Sequence, residues 1–116
     1  MNKETNDLTW DNFSKVKMAV GTILEVKDFP EARKPAYQLW IDFGDTIGVR
    51  KTSAQITKKY KKEDLPGKQV VAVINFPEKQ IANFMSQCLL LGAVADDGEI
   101  TLIKPDSAVH NGLFIS

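Results

Sequence analysis

The stretch YQLWIDFGDTIGVRKTSAQITKKY, residues 37–60, decides the fold. Its first half alternates strictly. Tyr37, Leu39, Ile41 and Phe43 take one side, and Gln38, Trp40 and Asp42 take the other. That period of two predicts a half-buried strand. Gly44-Asp45 predicts a turn, and Ile47 to Thr52 a further strand. Ser53 then stands as an N-cap before Ala54–Tyr60, where Ile56 and Tyr60 are spaced by four, so a short helix is expected.

Upstream, Thr9 predicts a capped helix reaching Phe13, and residues 1–7 are expected to be a loose polar tail. Val16 to Asp28 predicts a long strand. Val20, Thr22, Leu24 and Val26 lie on one face, and Gly21, Ile23, Glu25 and Lys27 on the other, with Gly21 expected to mark a bulge or bend. Phe29-Pro30 breaks this strand. Downstream, Gln69 to Phe76 is apolar on both faces and predicts a central strand. A loop, Pro77 to Phe84, leads to a fifth strand, Ser86 to Ala95, and Asp96-Asp97-Gly98 turns into a short strand, Glu99 to Lys104. Three strands, a helix and two strands is the plan of an all-β, five-stranded OB-fold barrel; an SH3-like barrel lacks the helix. The residues after Gly98 exceed what that barrel needs. Their apolar finish, Leu113-Phe114-Ile115, suggests a β extension that covers an edge or pairs with a second copy.

At 116 residues the chain holds one domain, placed at residues 8–116. Fifteen basic residues balance fifteen acidic ones, which argues against coating nucleic acid through bulk charge. Arg50, Lys51, Lys58, Lys59, Lys61 and Lys62 nevertheless form a run without a carboxylate. The four lysines of that run read as a solvated face or a general positive field. No apolar run suits a membrane helix and the first residues carry no apolar leader, so a cytoplasmic protein without membrane insertion is expected. Cys88, the single cysteine, excludes an internal disulfide, and its apolar strand makes it a small buried hydrophobe.

Chemistry finds little purchase. His110 is the only histidine, and no nucleophile-and-base pair or phosphate loop accompanies it. Asp96-Asp97-Gly98-Glu99 lacks the spacing of a calcium loop. No enzyme, cofactor or metal is expected. The groove of such a barrel lies on strands two and three, rimmed by the loops between strands one and two and between four and five. Arg33 and Lys34 stand in the first loop, and Arg50, Lys51 and Ser53 on the third strand. Lys79, Gln80 and Asn83 stand in the second loop, followed by Ser86. The cations suit phosphates, and the amides and hydroxyls suit sugars or base edges. Trp40, Phe84, Met85, Leu113 and Phe114 are the apolar alternative, contacts for a peptide or for a dimer partner.

Six blocks in order carry a resemblance: Val20–Ile23, Phe29–Arg33, Ile41–Gly44, Thr52–Thr57, Gly67–Val73 and Asn75–Pro77. They resemble the CsaA family, within the wider group of tRNA-binding domains also appended to methionyl-, tyrosyl- and phenylalanyl-tRNA synthetases. The likeness runs from Phe13 to Phe114. It implies an OB-fold homodimer, built partly from the C-terminal segment, that binds tRNA by shape. It also implies a chaperone activity towards unfolded or preprotein segments destined for export. One departure stands out. The basic, glycine-containing stretch common after strand four is replaced by Pro77–Phe84, with Glu78 present and Asn83 where glycine is usual.

Overall fold

The computed structural model describes residues 6–116; the tail expected at residues 1–7 lies mostly outside them. Helix α1 (Trp10–Ser14) starts where expected, because the Thr9 hydroxyl accepts the Asn12 N–H at 3.0 Å. Strands β1 (Met18–Asp28), β2 (Tyr37–Asp42), β3 (Val49–Ala54), β4 (Gln69–Val73) and β7 (Leu89–Leu90) form one sheet in the order β3-β2-β1-β4-β7. Between β4 and β7 stands a hairpin of β5 (Lys79–Ile81) and β6 (Phe84–Ser86); a second hairpin, β8 (Gly92–Val94) and β9 (Ile100–Leu102), follows.

The sheet curls until its ends nearly meet, giving the barrel expected from the strand plan. The seam between them has little ladder. The Gln87 N–H donates to the Lys51 carbonyl at 2.8 Å, and the Gln87 side-chain oxygen accepts the Lys51 N–H at 3.1 Å. Beside them Thr52, only 1% exposed, donates its hydroxyl to the Cys88 carbonyl at 2.7 Å and lies 2.9 Å from the Ser86 hydroxyl. Inside the barrel pack Ala19, Ile23, Leu39, Ile41, Phe43, Ile56, Leu65, Val70 and Ala72. Each large apolar side chain among them contributes roughly 1.5–3 kcal/mol over its exposed state.

Four expectations are revised. The bulge in β1 sits at Leu24, not Gly21: Ile23 pairs with Ile41, and Glu25 already with Trp40. The extra residue switches the inward face from Ala19, Gly21 and Ile23 to Val26 and leaves Leu24 51% exposed. Gly21 serves closeness instead, since a Cβ there would stand 2.6 Å from Ile41 Cγ2 and 2.7 Å from Phe43 Cδ1. The Gly44-Asp45 turn is a single helical turn, α2 (Gly44–Ile47).

The helix expected at Ala54–Tyr60 is absent. Ala54 stays in β3 opposite Tyr37, one turn closes with Tyr60 N–H on the Ile56 carbonyl, and a 3-10 helix spans Lys62–Asp64. Lys58, Lys59, Lys61 and Lys62 would repel one another at helical spacing, and three of them find partners elsewhere. The fifth strand is broken after β7, where the chain leaves β4 to form the β8–β9 hairpin across the expected Asp96-Asp97-Gly98 turn.

The C-terminal segment takes the place beside β1 that β2 vacates after Asp42. Gly112 N–H donates to the Val20 carbonyl, Val20 N–H to Leu113, and Ile115 N–H to Met18. A polar latch holds it: Asn111 Oδ1 accepts from the Thr22 hydroxyl and Gln69 Nε2, while Gln69 also pairs with the Val109 backbone in both directions.

Replacing Thr52 by Val keeps the shape and deletes the hydroxyl, leaving the Cys88 carbonyl only the longer bond from the Ser86 hydroxyl at 3.3 Å. Urea unfolding of Thr52→Val is expected to show a loss of about 1–3 kcal/mol, and Thr52→Ser to recover most of it.

Candidate nucleic-acid interface

An open groove of about 960 Å³ runs along the outer edge of β3. One wall is the β1–β2 loop with Arg33 and Lys34; the other is the β5–β6 hairpin with Lys79 and Gln80. The floor carries Ser53, Ile56, Leu89, Leu90, Ile100 and Leu102. No carboxylate lines the groove among the described residues, although the chain as a whole is neutral. The potential there is therefore positive over an apolar floor, an arrangement able to hold a phosphodiester chain at its rim.

Six of the nine polar residues expected at the groove line it: Arg33, Lys34, Ser53, Lys79, Gln80 and Ser86. Ser86 is engaged in the seam with Thr52. The other three do not line it. Arg50 turns its guanidinium onto the Ile74 carbonyl and so ties β3 to the end of β4. Lys51 places its ammonium 4.9 Å from the centre of the Phe84 ring. Asn83 stands in the β5–β6 turn, where Ala82 rather than Asn83 adopts the positive φ, +52°, and Gln80 Nε2 bonds the Ala82 carbonyl. Glu78 accepts from Gln87 Nε2 at 3.0 Å, outside the groove lining.

The lysine run is not a free positive field. Lys58 bonds the Asp97 carbonyl at 2.9 Å and Lys59 the Thr101 hydroxyl at 2.7 Å, fastening the turn after β3 to the β8–β9 hairpin. Lys62 donates to Asp28 at 2.7 Å, and that hydrogen bond raises its pKa above the ordinary lysine value. Asp97 is held below the usual carboxylate range, first by the Glu99 N–H and then by Lys58.

The apolar candidates separate. Phe84 is buried, 6% exposed, and is not a free docking surface. It meets Phe29 at 5.5 Å and Trp40 edge-on at 5.9 Å, in a small cluster with Ala32, Ala36 and Ile81. Lys27 caps the Trp40 ring at 5.1 Å, and each such cation–π contact contributes about 0.5–1 kcal/mol when exposed. Met85 is exposed on the hairpin. Leu113 and Phe114 are exposed too, but Phe114 bridges Ala19, six residues along β1 from Glu25, the partner of Trp40. The five residues form no single patch. Sequence reasoning missed the β9 contribution to the floor; Ile100 and Leu102 at spacing two were its trace.

A family model described as "Putative tRNA binding domain" matches residues 18–113. The methionine–tRNA ligase of Pyrococcus abyssi is 42% identical over 104 residues, which is 89% of this chain and 14% of that protein. The chain thus spans about a seventh of the length of this curated relative. The crystal structure of the chaperone CsaA from Bacillus anthracis superposes with a TM-score of 0.90 at 44% identity, covering 95% of this chain and 99% of that one. The CsaA chaperone protein from Picrophilus torridus gives 0.88 at 52% identity, covering 95% and 100%.

Cys88 lines the groove but is only 6% exposed, and burial pushes its thiol from an ordinary value of 9.0 up to about 11. At pH 8 the folded protein is expected to resist thiol reagents, and urea to release full reactivity. Because the folded value is the higher one, the associated stability is complete below pH 9 and is lost as pH rises towards 11. Cys88→Ala is expected to flatten the decline of stability measured across that interval.

Proposed function

The chain belongs to the tRNA-binding-domain family, and from that premise we propose that it is a non-catalytic protein whose groove holds tRNA by shape and backbone. The observation that carries this is the set of cations Arg33, Lys34 and Lys79, brought from two separate segments to line a groove free of carboxylates among the described residues. Ser53 and Gln80 line the same groove, where they can reach sugar hydroxyls or base edges. Residues 8–116 act as the binding domain, without a cofactor, in the cytoplasm. Among the described residues no helix is long and apolar enough to cross a membrane.

A second reading has its own support. The floor residues Ile56, Leu89, Leu90, Ile100 and Leu102 are apolar, and two similar solved structures are of chaperones. An unfolded or preprotein segment awaiting export could lay apolar side chains on that floor. We further propose a homodimer formed through the C-terminal segment, where Phe114 is 62% exposed although its backbone is paired to β1.

Binding of labelled bulk tRNA, in parallel with an unfolded protein, separates the two readings. At roughly 50 mM salt tRNA is expected to bind, with a log–log salt slope gaining about 0.7–0.9 for each phosphate neutralised. Lys34→Glu with Lys79→Glu is expected to weaken that binding at least tenfold, while Lys61→Glu with Lys68→Glu, away from the groove, has a much smaller effect. Salt-tolerant capture of the unfolded chain without tRNA binding at low salt would sink the tRNA reading.

A further inference from the structure

The two cationic walls belong to segments about 45 residues apart in sequence, and no strand ladder joins them. One cluster touches both. Phe29, Ala32 and Ala36 come from the loop that carries Arg33 and Lys34. Ile81 and Phe84 come from the hairpin that carries Lys79 and Gln80. Trp40 comes from the sheet beneath. The hairpin is an excursion from the main sheet with only a three-pair ladder of its own, Lys79–Ser86, Gln80–Met85 and Ile81–Phe84. A hairpin that short is not stable alone, so tertiary anchors must set its angle. Its anchors are the seam at Ser86 and the Phe84 ring, packed at 5.5 Å against Phe29 and 5.9 Å against Trp40.

We infer that Phe84 is a positioning residue: seated between Phe29 and Trp40, it fixes the separation of the Arg33–Lys34 wall from the Lys79 wall, and so sets which phosphates the groove engages together. This rests on the reading of the groove as the tRNA site. A phosphate backbone has fixed spacings, so cations on two mobile arms contribute less than the same cations held at one distance. The role differs from general stabilisation. The cluster lies outside the main core, which is formed by the inward faces of β1 to β4.

The test has two arms on the full chain. In the first, spin labels on cysteines introduced by Lys34→Cys and Gln80→Cys report the distance between the walls; buried Cys88 stays in place. One narrow distribution is expected, broadened by Phe84→Ala and kept narrow by Trp40→Phe, which retains an aromatic edge. In the second, unlabelled Phe84→Ala is expected to bind tRNA at least tenfold more weakly. Its salt slope should fall by about 1.4–1.8, the value of two lost phosphate contacts. A merely structural role would lower the melting temperature and leave that slope unchanged. Should Phe84→Ala fail to fold by circular dichroism, Ile81→Ala trims the same cluster from its edge and takes its place. An unchanged distance distribution in a folded variant overturns the inference. A broadened distribution in a chain whose wild type binds no tRNA upholds the positioning role and refutes the tRNA reading.

Discussion

The barrel depends on one short seam, where the buried Thr52 hydroxyl and the paired Gln87 and Lys51 join its two ends. Four of its strand junctions are antiparallel ladders that close themselves. The junction between β3 and the segment around Cys88 does not. Thr52 is the only polar residue of the described chain that is buried, and it spans that gap through the Cys88 carbonyl and the Ser86 hydroxyl. Thr52, Ser53, Ser86 and Cys88 all line the groove, which therefore opens directly beside this junction. The residues that close the barrel thus also shape the opening along β3.

Around that opening the basic residues divide their work. Lys58, Lys59 and Lys62 fasten segments of chain, and Arg50 is turned towards Ile74. Arg33, Lys34 and Lys79 are exposed at the groove. Sequence reading expected the last three at a groove, and all three line one, because loop residues flanking known strands have few places to go. It could not separate them from Arg50, because the side a strand residue faces does not reveal what a long guanidinium will reach. It also left Phe84 open as a surface residue. Burial of Phe84 depends on Phe29 and Trp40, and no local pattern reports contacts over such separations.

The fold was legible where periodicity was strong. Tyr37 to Asp42 and Gln69 to Val73 are strands within the limits their alternation and apolarity suggested. It was less legible where tertiary forces overrode local preference. Ser53 has the chemistry of an N-cap, yet pairing with Gln38 keeps it in β3. Leu24 has the right parity for an apolar face, yet one bulged residue turns it outward. The C-terminal extension was foreseen as an edge cover, but its latch was not, because Gln69, Asn111 and Thr22 act together only once the segment has docked.

Neutrality combined with a groove free of carboxylates among the described residues makes the molecule a dipole rather than a net charge. A dipole's field fades faster with distance than that of a net charge, and salt cuts both off within about 8–10 Å. Such a protein does not gather polyanions from afar. It responds to a phosphate chain only on near contact, when shape has already admitted it, so its encounters with ill-fitting nucleic acid are brief.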